Sequence, residues 1–224
     1  SLQDLTTGTL NTAVGQGALA AATTSSNNTA LGTFSMSANT TGAQNTALGR
    51  SALNANTTAS NNTAVGYEAL KSNTTGNLNV AVGANALQSN TVGDRNIAIG
   101  NNALSFFNPV SGNIDSYNTA IGTNALNLTT TGLRNTVVGG KAMENNTTGT
   151  DNVAIGVFAL DSNISANNST AVGYEALNNS TGAENTALGS LAGDITTTGT
   201  NNTSLGYQAD PSSATATNEV TLGN

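Results

Sequence analysis

The stretch Asn62-Thr63-Ala64-Val65-Gly66 decides the fold, because the same five-residue pattern recurs along the whole chain of 224 residues. Copies begin at residues 11, 28, 45, 62, 79, 96, 118, 135, 152, 169, 185, 202 and 219. The step between copies is 17 residues, except for one step of 22 after Asn96 and one of 16 after Ser169. A fixed period of this length is typical of solenoid proteins, in which each repeat stacks on its neighbours.

Within each copy the residue types alternate as they do in a β-strand. We number the positions of a repeat from 0, so that Asn62 is at position 0 and Gly66 is at position 4. Position 1 is always β-branched, position 2 is nearly always Ala, position 3 is always aliphatic and position 4 is always Gly. Alternating β-branched and small residues that end at a glycine predict a short strand.

A second element follows two residues later, where positions 7 and 8 are nearly always an Ala-Leu or Ala-Met pair, such as Ala69-Leu70. We interpret this pair as a returning strand of the same coil. A helix is the alternative, since residues 67–71 include good helix formers. However, only about eight residues separate one turn signal from the next, fewer than the roughly 12 that a stable helix needs.

The rest of each repeat is typical of polar turns, as in Asn73-Thr74-Thr75-Gly76. The sequence therefore predicts an all-β, parallel β-solenoid of about 12 coils with a 17-residue repeat, in which each strand residue pairs with the residue 17 positions later. We expect a single solenoid domain over residues 1–224. No cap is visible at Ser1 and the chain stops inside a repeat, so we expect both ends to continue in a longer protein.

Positions 1 and 3 of the strand share one face, and positions 0, 2 and 4 share the other. The sequence leaves open which face points inward. If Ala points inward, the outer face is a ladder of Thr and aliphatic residues, and each exposed aliphatic side chain forgoes about 1.5–3 kcal/mol of burial. If the aliphatic residues point inward, the outer face is flat and made of Asn, Ala and Gly. Both faces suit close contact with another copy, so we expect a homo-oligomer. The stacked Asn residues at position 0 are expected to form a ladder of side-chain amides.

The composition argues against several functions. The net charge is −7 with only five basic residues, whereas nucleic-acid binding needs clustered Lys and Arg. The chain contains no His and no Cys, which removes the usual zinc ligands and the common general base. No apolar run approaches the roughly 20 residues of a membrane span. We therefore expect no enzymatic activity, no cofactor, no metal, no nucleic-acid partner and no membrane insertion.

The 22-residue step creates an insertion loop at residues 105–117, and its aromatic residues Phe106, Phe107 and Tyr117 are the candidate binding residues. Aromatic rings exposed on a loop suit contact with a sugar or a protein. The alternative is that the rings fold back over the edge of the coil or onto a neighbouring subunit.

Asn152-Val153-Ala154-Ile155-Gly156 and Asn96-Ile97-Ala98-Ile99-Gly100 resemble the Asn-Ser-Val-Ala-Ile-Gly strand in the head repeat of trimeric autotransporter (YadA-like) adhesins. The 17-residue coils with Asn-Thr-Thr-Gly turns look more like phage tail-fibre versions of this repeat. Residues 218–224 are similar to the segment that precedes a C-terminal intramolecular chaperone domain in such fibres. The resemblance covers essentially the whole chain. It implies a left-handed β-roll and a homotrimer on a virion tail fibre or an extracellular cell surface, where it attaches to a host-surface glycan or protein receptor.

Two other functions stay open at this point. An ice-binding solenoid would use a flat Thr ladder to order water, although Thr12, Thr29, Thr46 and Thr63 are followed by Val80 and Ile97. A passive spacer in a longer fibre would need no binding residues of its own.

Overall fold

The computed structural model of the protein describes residues 4–110 and 114–223, which form an all-β parallel β-solenoid of about 12 coils, as the repeat predicts. The chain divides into two compact units, Ser1–Tyr117 and Asn118–Asn224. Over the described ranges there is no helix, and hence none that is long and apolar enough to cross a membrane.

The first unit stacks its three-residue strands in parallel, one per coil. Thr63 pairs with Val80, and Ala64 pairs with Ala81, so the register is the predicted 17 residues. Gly93 and Asp94 pair with Ile114 and Asp115 in a separate two-stranded sheet (β6 and β8). The strands of this unit are β1 Thr12–Val14, β2 Thr29–Leu31, β3 Thr46–Leu48, β4 Thr63–Val65, β5 Val80–Val82, β6 Gly93–Asp94, β7 Ile97–Ile99 and β8 Ile114–Asp115.

The second unit is built in the same way. Its parallel ladder keeps the strands in register through the shorter 16-residue step, where Thr170 pairs with Thr186. The strands are β9 Thr119–Ile121, β10 Thr136–Val138, β11 Val153–Ile155, β12 Thr170–Val172, β13 Thr186–Leu188, β14 Thr203–Leu205 and β15 Val220–Leu222.

The predicted returning strand at positions 5–9 is wrong. After Gly66 the chain forms consecutive turns, because Glu68 and Leu70 both take left-handed backbone conformations, with φ of 55° and 50°. The residues at positions 6 and 8 of most other coils do the same. Left-handed residues at alternate positions bend the chain repeatedly, so the segment is not an extended strand. Neighbouring coils are still hydrogen-bonded here, since the N–H of Leu70 donates to the carbonyl oxygen of Ala86 at 3.0 Å. The Leu side chain nevertheless reaches the interior, where Leu70 is fully buried.

The core of each coil is small and decides the orientation of the strand. Ala64 at position 2 and the pair Ala69-Leu70 at positions 7 and 8 are all 0% exposed. Thr63 and Val65, at positions 1 and 3, remain partly exposed on the other face. The middle residue of the strand is buried in every three-residue strand except β1 and β15. Of the two orientations that the sequence left open, the structure has Ala inside and the aliphatic residues outside.

The predicted ladder of asparagine amides at position 0 is confirmed. The Oδ1 atom of Asn62 accepts a hydrogen bond of 2.9 Å from the backbone N–H of Asn79 in the next coil. Its Nδ2 group donates to the carbonyl oxygen of Gly76 at 2.9 Å. Its own backbone N–H donates to Oδ1 of Asn45 at 2.9 Å. Because Asn62 is only 1% exposed, these bonds satisfy polar groups that water does not reach.

The invariant glycine at position 4 is explained by backbone contact between coils. Gly66 has φ of +136°, and a Cβ atom there would lie 2.5 Å from the carbonyl oxygen of Gly83 in the next coil. Both the conformation and the close approach exclude a side chain.

Candidate interaction surface

The outward strand face, defined as positions 1, 3 and 5 of the coils, is the main candidate functional surface. Strand side chains alternate between faces, so burying position 2 places positions 1 and 3 outside. In the first unit Leu31 is 49% exposed and Ile99 is 37% exposed, and in the second unit Leu188 is 50% exposed. Each unit therefore carries its own column of exposed aliphatic side chains.

The face is uncharged at positions 1 and 3 in every coil. Its most apolar part in the first unit is a pair of adjacent coils with Val80, Val82, Ile97 and Ile99. Monomeric proteins rarely expose contiguous apolar stripes of this kind, which usually mark contacts with other molecules. At positions 1 and 3 the face offers shape and apolar area, and threonine hydroxyls are the only polar side-chain groups at these positions.

Cationic groups are few, and each has a partner. Lys71 pairs with Glu68 at 2.9 Å, and Lys141 pairs with Glu144 at 3.6 Å. Across neighbouring coils, Arg134 binds both carboxylate oxygens of Asp151, at 2.6 and 2.8 Å. This contact holds the pKa of Asp151 below its ordinary value and raises the pKa of Arg134.

The two remaining cations lie beside tyrosines. The Nη1 group of Arg50 donates to the Tyr67 hydroxyl at 3.1 Å, and its guanidinium lies 5.5 Å from the centre of the ring. Arg95 lies 5.6 Å from the centre of the Tyr117 ring and forms an ion pair with Asp115. All five cations are thus engaged within the chain.

The insertion loop is anchored to the preceding coil. Besides the pairing of β6 with β8, the Thr91 hydroxyl donates to Oδ1 of Asn108 at 2.6 Å. Residues 111–113 of the predicted insertion lie outside the described residues. The ion pair between Arg95 and Asp115 adds a side-chain link between the preceding coil and the C-terminal part of the insertion.

The structure separates the three aromatic candidates. Phe106 is 54% exposed and Tyr117 is 51% exposed, as a binding role requires. Phe107 is fully buried, so its predicted exposure is wrong. Its ring lies against Gly93, where a Cβ atom would be 2.7 Å from the ring, because position 11 of the coil points inward. A role in binding therefore stays a prediction for Phe106 and Tyr117, while Phe107 is a core residue.

A second ladder of buried asparagines lies at position 11, where the sequence predicts only polar turns. The Nδ2 group of Asn73 donates to Oδ1 of Asn56 at 3.1 Å and to the carbonyl oxygen of Gly76 at 2.9 Å. Asn90 continues the ladder by donating to Oδ1 of Asn73 at 2.9 Å. The signal was present in the sequence, since Asn recurs 17 residues apart at 39, 56, 73 and 90.

Over residues 4–110 and 114–223, no group of three or more His, Cys, Asp or Glu side chains lies close enough to hold a metal ion. A scan against models of known protein families and a search of curated proteins found no match to this chain.

Proposed function

We propose that this chain is a structural and receptor-binding segment of a homotrimeric tail fibre or surface adhesin, with coils that follow the left-handed course of a β-roll. The observation that carries the proposal is the outward column of aliphatic residues at position 3, which are exposed or half-buried in every three-residue strand. Two further copies of the chain would cover this column. The number three comes from the resemblance to trimeric adhesin heads and tail fibres.

The chemistry of the face supports contact between copies. Leu31 is 49% exposed and Ile99 is 37% exposed, so removing the rest of each side chain from water stabilises an assembly by about 0.5–1.5 kcal/mol. With no charge at positions 1 and 3, bringing identical faces together creates no repulsion between like charges. A smooth repetitive face of this kind supports a structural role, in which the coils hold a binding element at a distance. We assign the protein no enzymatic role.

The receptor-binding part of the proposal rests on the insertion. Phe106 and Tyr117 expose aromatic rings beside an anchored loop, and such rings are common anchors at binding interfaces. We propose a host-surface glycan or protein as the partner and the virion or an extracellular surface as the location. The passive spacer is the version of this function in which the insertion binds nothing.

The first test is the mass in solution by light scattering. A trimer has three times the 22.1 kDa of one chain. A monomer at micromolar concentration would contradict the proposal. If the protein is trimeric, binding of labelled trimer to host cells then separates receptor binding from a spacer role, with a Phe106→Ala/Tyr117→Ala variant of unchanged mass as the comparison.

Ice binding is the second candidate, because threonine occupies the outward position 1 in nine of thirteen strands. Stacked strands repeat about every 4.8 Å, which gives a regular array of hydroxyl and methyl groups. Val80, Ile97, Val153 and Val220 interrupt the array. Thermal hysteresis in a freezing assay would favour this function, and its absence would remove it.

A further inference from the structure

Two pairs of acidic side chains stack on consecutive coils of the second unit. Glu144 and Asp161 both occupy position 9, 17 residues apart. Asp194 occupies position 9 of a later coil, and Asp210 occupies position 8 of the coil that follows. Neighbouring coils are separated by about 4.8 Å, so stacking brings the two acids of each pair close together.

One acid of each pair has a carboxyl oxygen that is buried and has no hydrogen-bond partner. These atoms are Oδ1 of Asp161 and Oδ1 of Asp210. An ionised carboxylate needs donors or water at its oxygens, and an oxygen without either favours the protonated, neutral carboxyl group.

The surroundings of Asp161 keep a negative charge beside it. Glu144 accepts a hydrogen bond of 3.0 Å from Nδ2 of Asn124 and lies 3.6 Å from Nζ of Lys141. Lys141 is the one cation that acts on Asp161, and it offsets the effect of Glu144 only in part. The following coil places the neutral Asn178 at the same position.

Among the described residues, no cation acts on the carboxyl group of Asp210. The only charged group among the described residues that acts on its carboxyl is Asp194. Backbone hydrogen bonds from Asp194 and Ile195 favour the ionised form. The carboxylate of Glu219, in the last coil, is engaged by Ser212, whose N–H and hydroxyl donate to it at 2.7 and 2.5 Å.

We propose that these two carboxyl pairs make the second unit acid-stabilised, so that the coils within residues 135–223 hold together more strongly at mildly acidic pH than at neutral pH. The device acts within one chain and is independent of any partner or receptor.

The direction in which stability changes with pH follows from the direction of the pKa shifts. Burial, and then the neighbouring Glu144, raises the pKa of Asp161 above its ordinary 3.8. Burial, and then the neighbouring Asp194, raises the pKa of Asp210 above 3.8. Between the ordinary and the raised pKa, the folded unit holds protons that the unfolded chain releases. Stability is therefore fully present below the ordinary pKa and is lost as the pH rises through the raised pKa.

Two other acids in this unit respond in the opposite direction. The pKa of Asp151 is lowered by Arg134, and the pKa of Glu219 is lowered by Ser212, so both favour folding at higher pH. Asp151 is exposed, so solvent and salt screen its interactions, and Glu219 is half-buried. Asp161 and Asp210 are half-buried too, but each keeps one carboxyl oxygen out of contact with water and without a hydrogen-bond partner. We therefore expect these two carboxyl groups to decide the net response of the second unit.

Hydrogen–deuterium exchange of the whole chain at about pH 5 and about pH 7, corrected for the intrinsic exchange rate at each pH, tests the proposal. We expect amides of the stacked strands within residues 135–223 to exchange several-fold more slowly at the lower pH. In an Asp161→Asn/Asp210→Asn variant these amides should already exchange slowly at neutral pH and should respond little to acid. Asn178 shows that the coil accepts Asn at position 9.

Two further variants keep the test decisive. Glu144→Gln removes only the neighbouring charge and should reduce the response if the double variant folds poorly. Asp151→Asn removes an exposed acid whose pKa is lowered rather than raised, and should leave the stabilisation at low pH in place. Faster or unchanged exchange of the wild-type second unit at low pH would overturn the proposal. So would an undiminished response in the Asp161→Asn/Asp210→Asn variant.

Discussion

The side-chain amide of Asn62 donates a 2.9 Å hydrogen bond to the backbone carbonyl of Gly76, which ties the strand at the start of a coil to the turn that closes it. Asn45 does the same with Ala59, and Asn135 with Gly149. A β-strand of three residues is too short to hold a fold by its own ladder. The asparagine at position 0 therefore bonds in two directions, across its own coil and to both neighbouring coils.

Asn62→Ala is expected to destabilise the first unit by about 1–3 kcal/mol, because it leaves the buried Asn79 N–H without a partner. The Gly76 carbonyl loses one of its two donors and keeps the hydrogen bond from Asn73. The midpoint of urea unfolding, monitored by circular dichroism, measures the change. Asn61→Gly is the matched control, since Asn61 is exposed and its φ of 61° suits glycine. A loss from the control as large as that from Asn62→Ala would show that the ladder does not stabilise the fold.

Gly66→Ala is expected to cost at least about 2 kcal/mol, because alanine is strained at φ of +136° and its Cβ atom would meet the Gly83 carbonyl. Gly140→Ala is the comparison, since a Cβ atom there meets nothing closer than the Thr123 carbonyl oxygen at 3.9 Å. The Gly140 variant should unfold close to the wild-type temperature. Equal losses of melting temperature in the two variants would contradict this explanation of the invariant glycine.

Leu78→Asn is expected to stabilise the protein by up to about 1 kcal/mol. Leu78 has φ of 59° and is 47% exposed, so a leucine there has an unfavourable backbone with little burial to offset it. Asparagine tolerates the left-handed region better. Leu70→Asn provides the contrast, since Leu70 has φ of 50° but is fully buried, and its loss should cost about 2–5 kcal/mol. Thermal unfolding of the two variants should therefore shift in opposite directions.

Phe107→Ala is expected to destabilise the first unit by about 3–5 kcal/mol, as for other buried phenylalanines. Phe106→Ala should change stability by less than about 1 kcal/mol, because its side chain is mostly in water. Chemical denaturation distinguishes the two. Only Phe106→Ala is then suitable for testing binding to host cells. Similar stability losses for both variants would mean that the ring of Phe106 is also packed.

A Leu31→Lys/Ile99→Lys variant is expected to remain folded but to lose self-association, because both side chains are exposed and lie four coils apart on the outward strand face. In an assembly, each lysine would be buried against apolar residues without a partner, which is strongly unfavourable. Sedimentation velocity compares the mass with that of the wild type, and circular dichroism checks the fold. Thr58→Lys, at an exposed turn, is the control. An unchanged mass in the double variant would exclude this face as the contact.

Much of the fold could be predicted from the sequence because register and packing repeat with it. The pairing of Thr63 with Val80 follows from the period alone, and so does the ladder through Asn62. The turns at Glu68 and Leu70 could not be predicted, since neither Glu nor Leu is a residue type that favours the left-handed region. The direction of Ala64 also needed the structure, because it depends on how much space remains opposite Leu70 inside the coil.

Which residues form the candidate surface was harder to predict than the register of the strands, because the sequence does not show which strand face points outward. The period identifies which residues share a face, but whether Val65 or Ala64 points outward depends on the turns that close the coil. The exposure of Phe106 and the burial of Phe107 depend on where the insertion leaves the coil. A pair of adjacent phenylalanines in a loop gives no indication of which ring is inside.

The buried ring of Phe107 helps to determine which coils of the first unit pair with each other. Nearly identical coils can pair one repeat away from the correct partner and keep most of their contacts, because the asparagines of one coil can form the same hydrogen bonds with any other coil. Phe107 fits beside Gly93, where Oδ1 of Asn90 already accepts the Gly93 N–H at 3.0 Å and needs no amide from the next coil. Because Phe107 departs from the repeat and fits beside Gly93, it favours one alignment of the coils in the first unit over alignments shifted by a repeat.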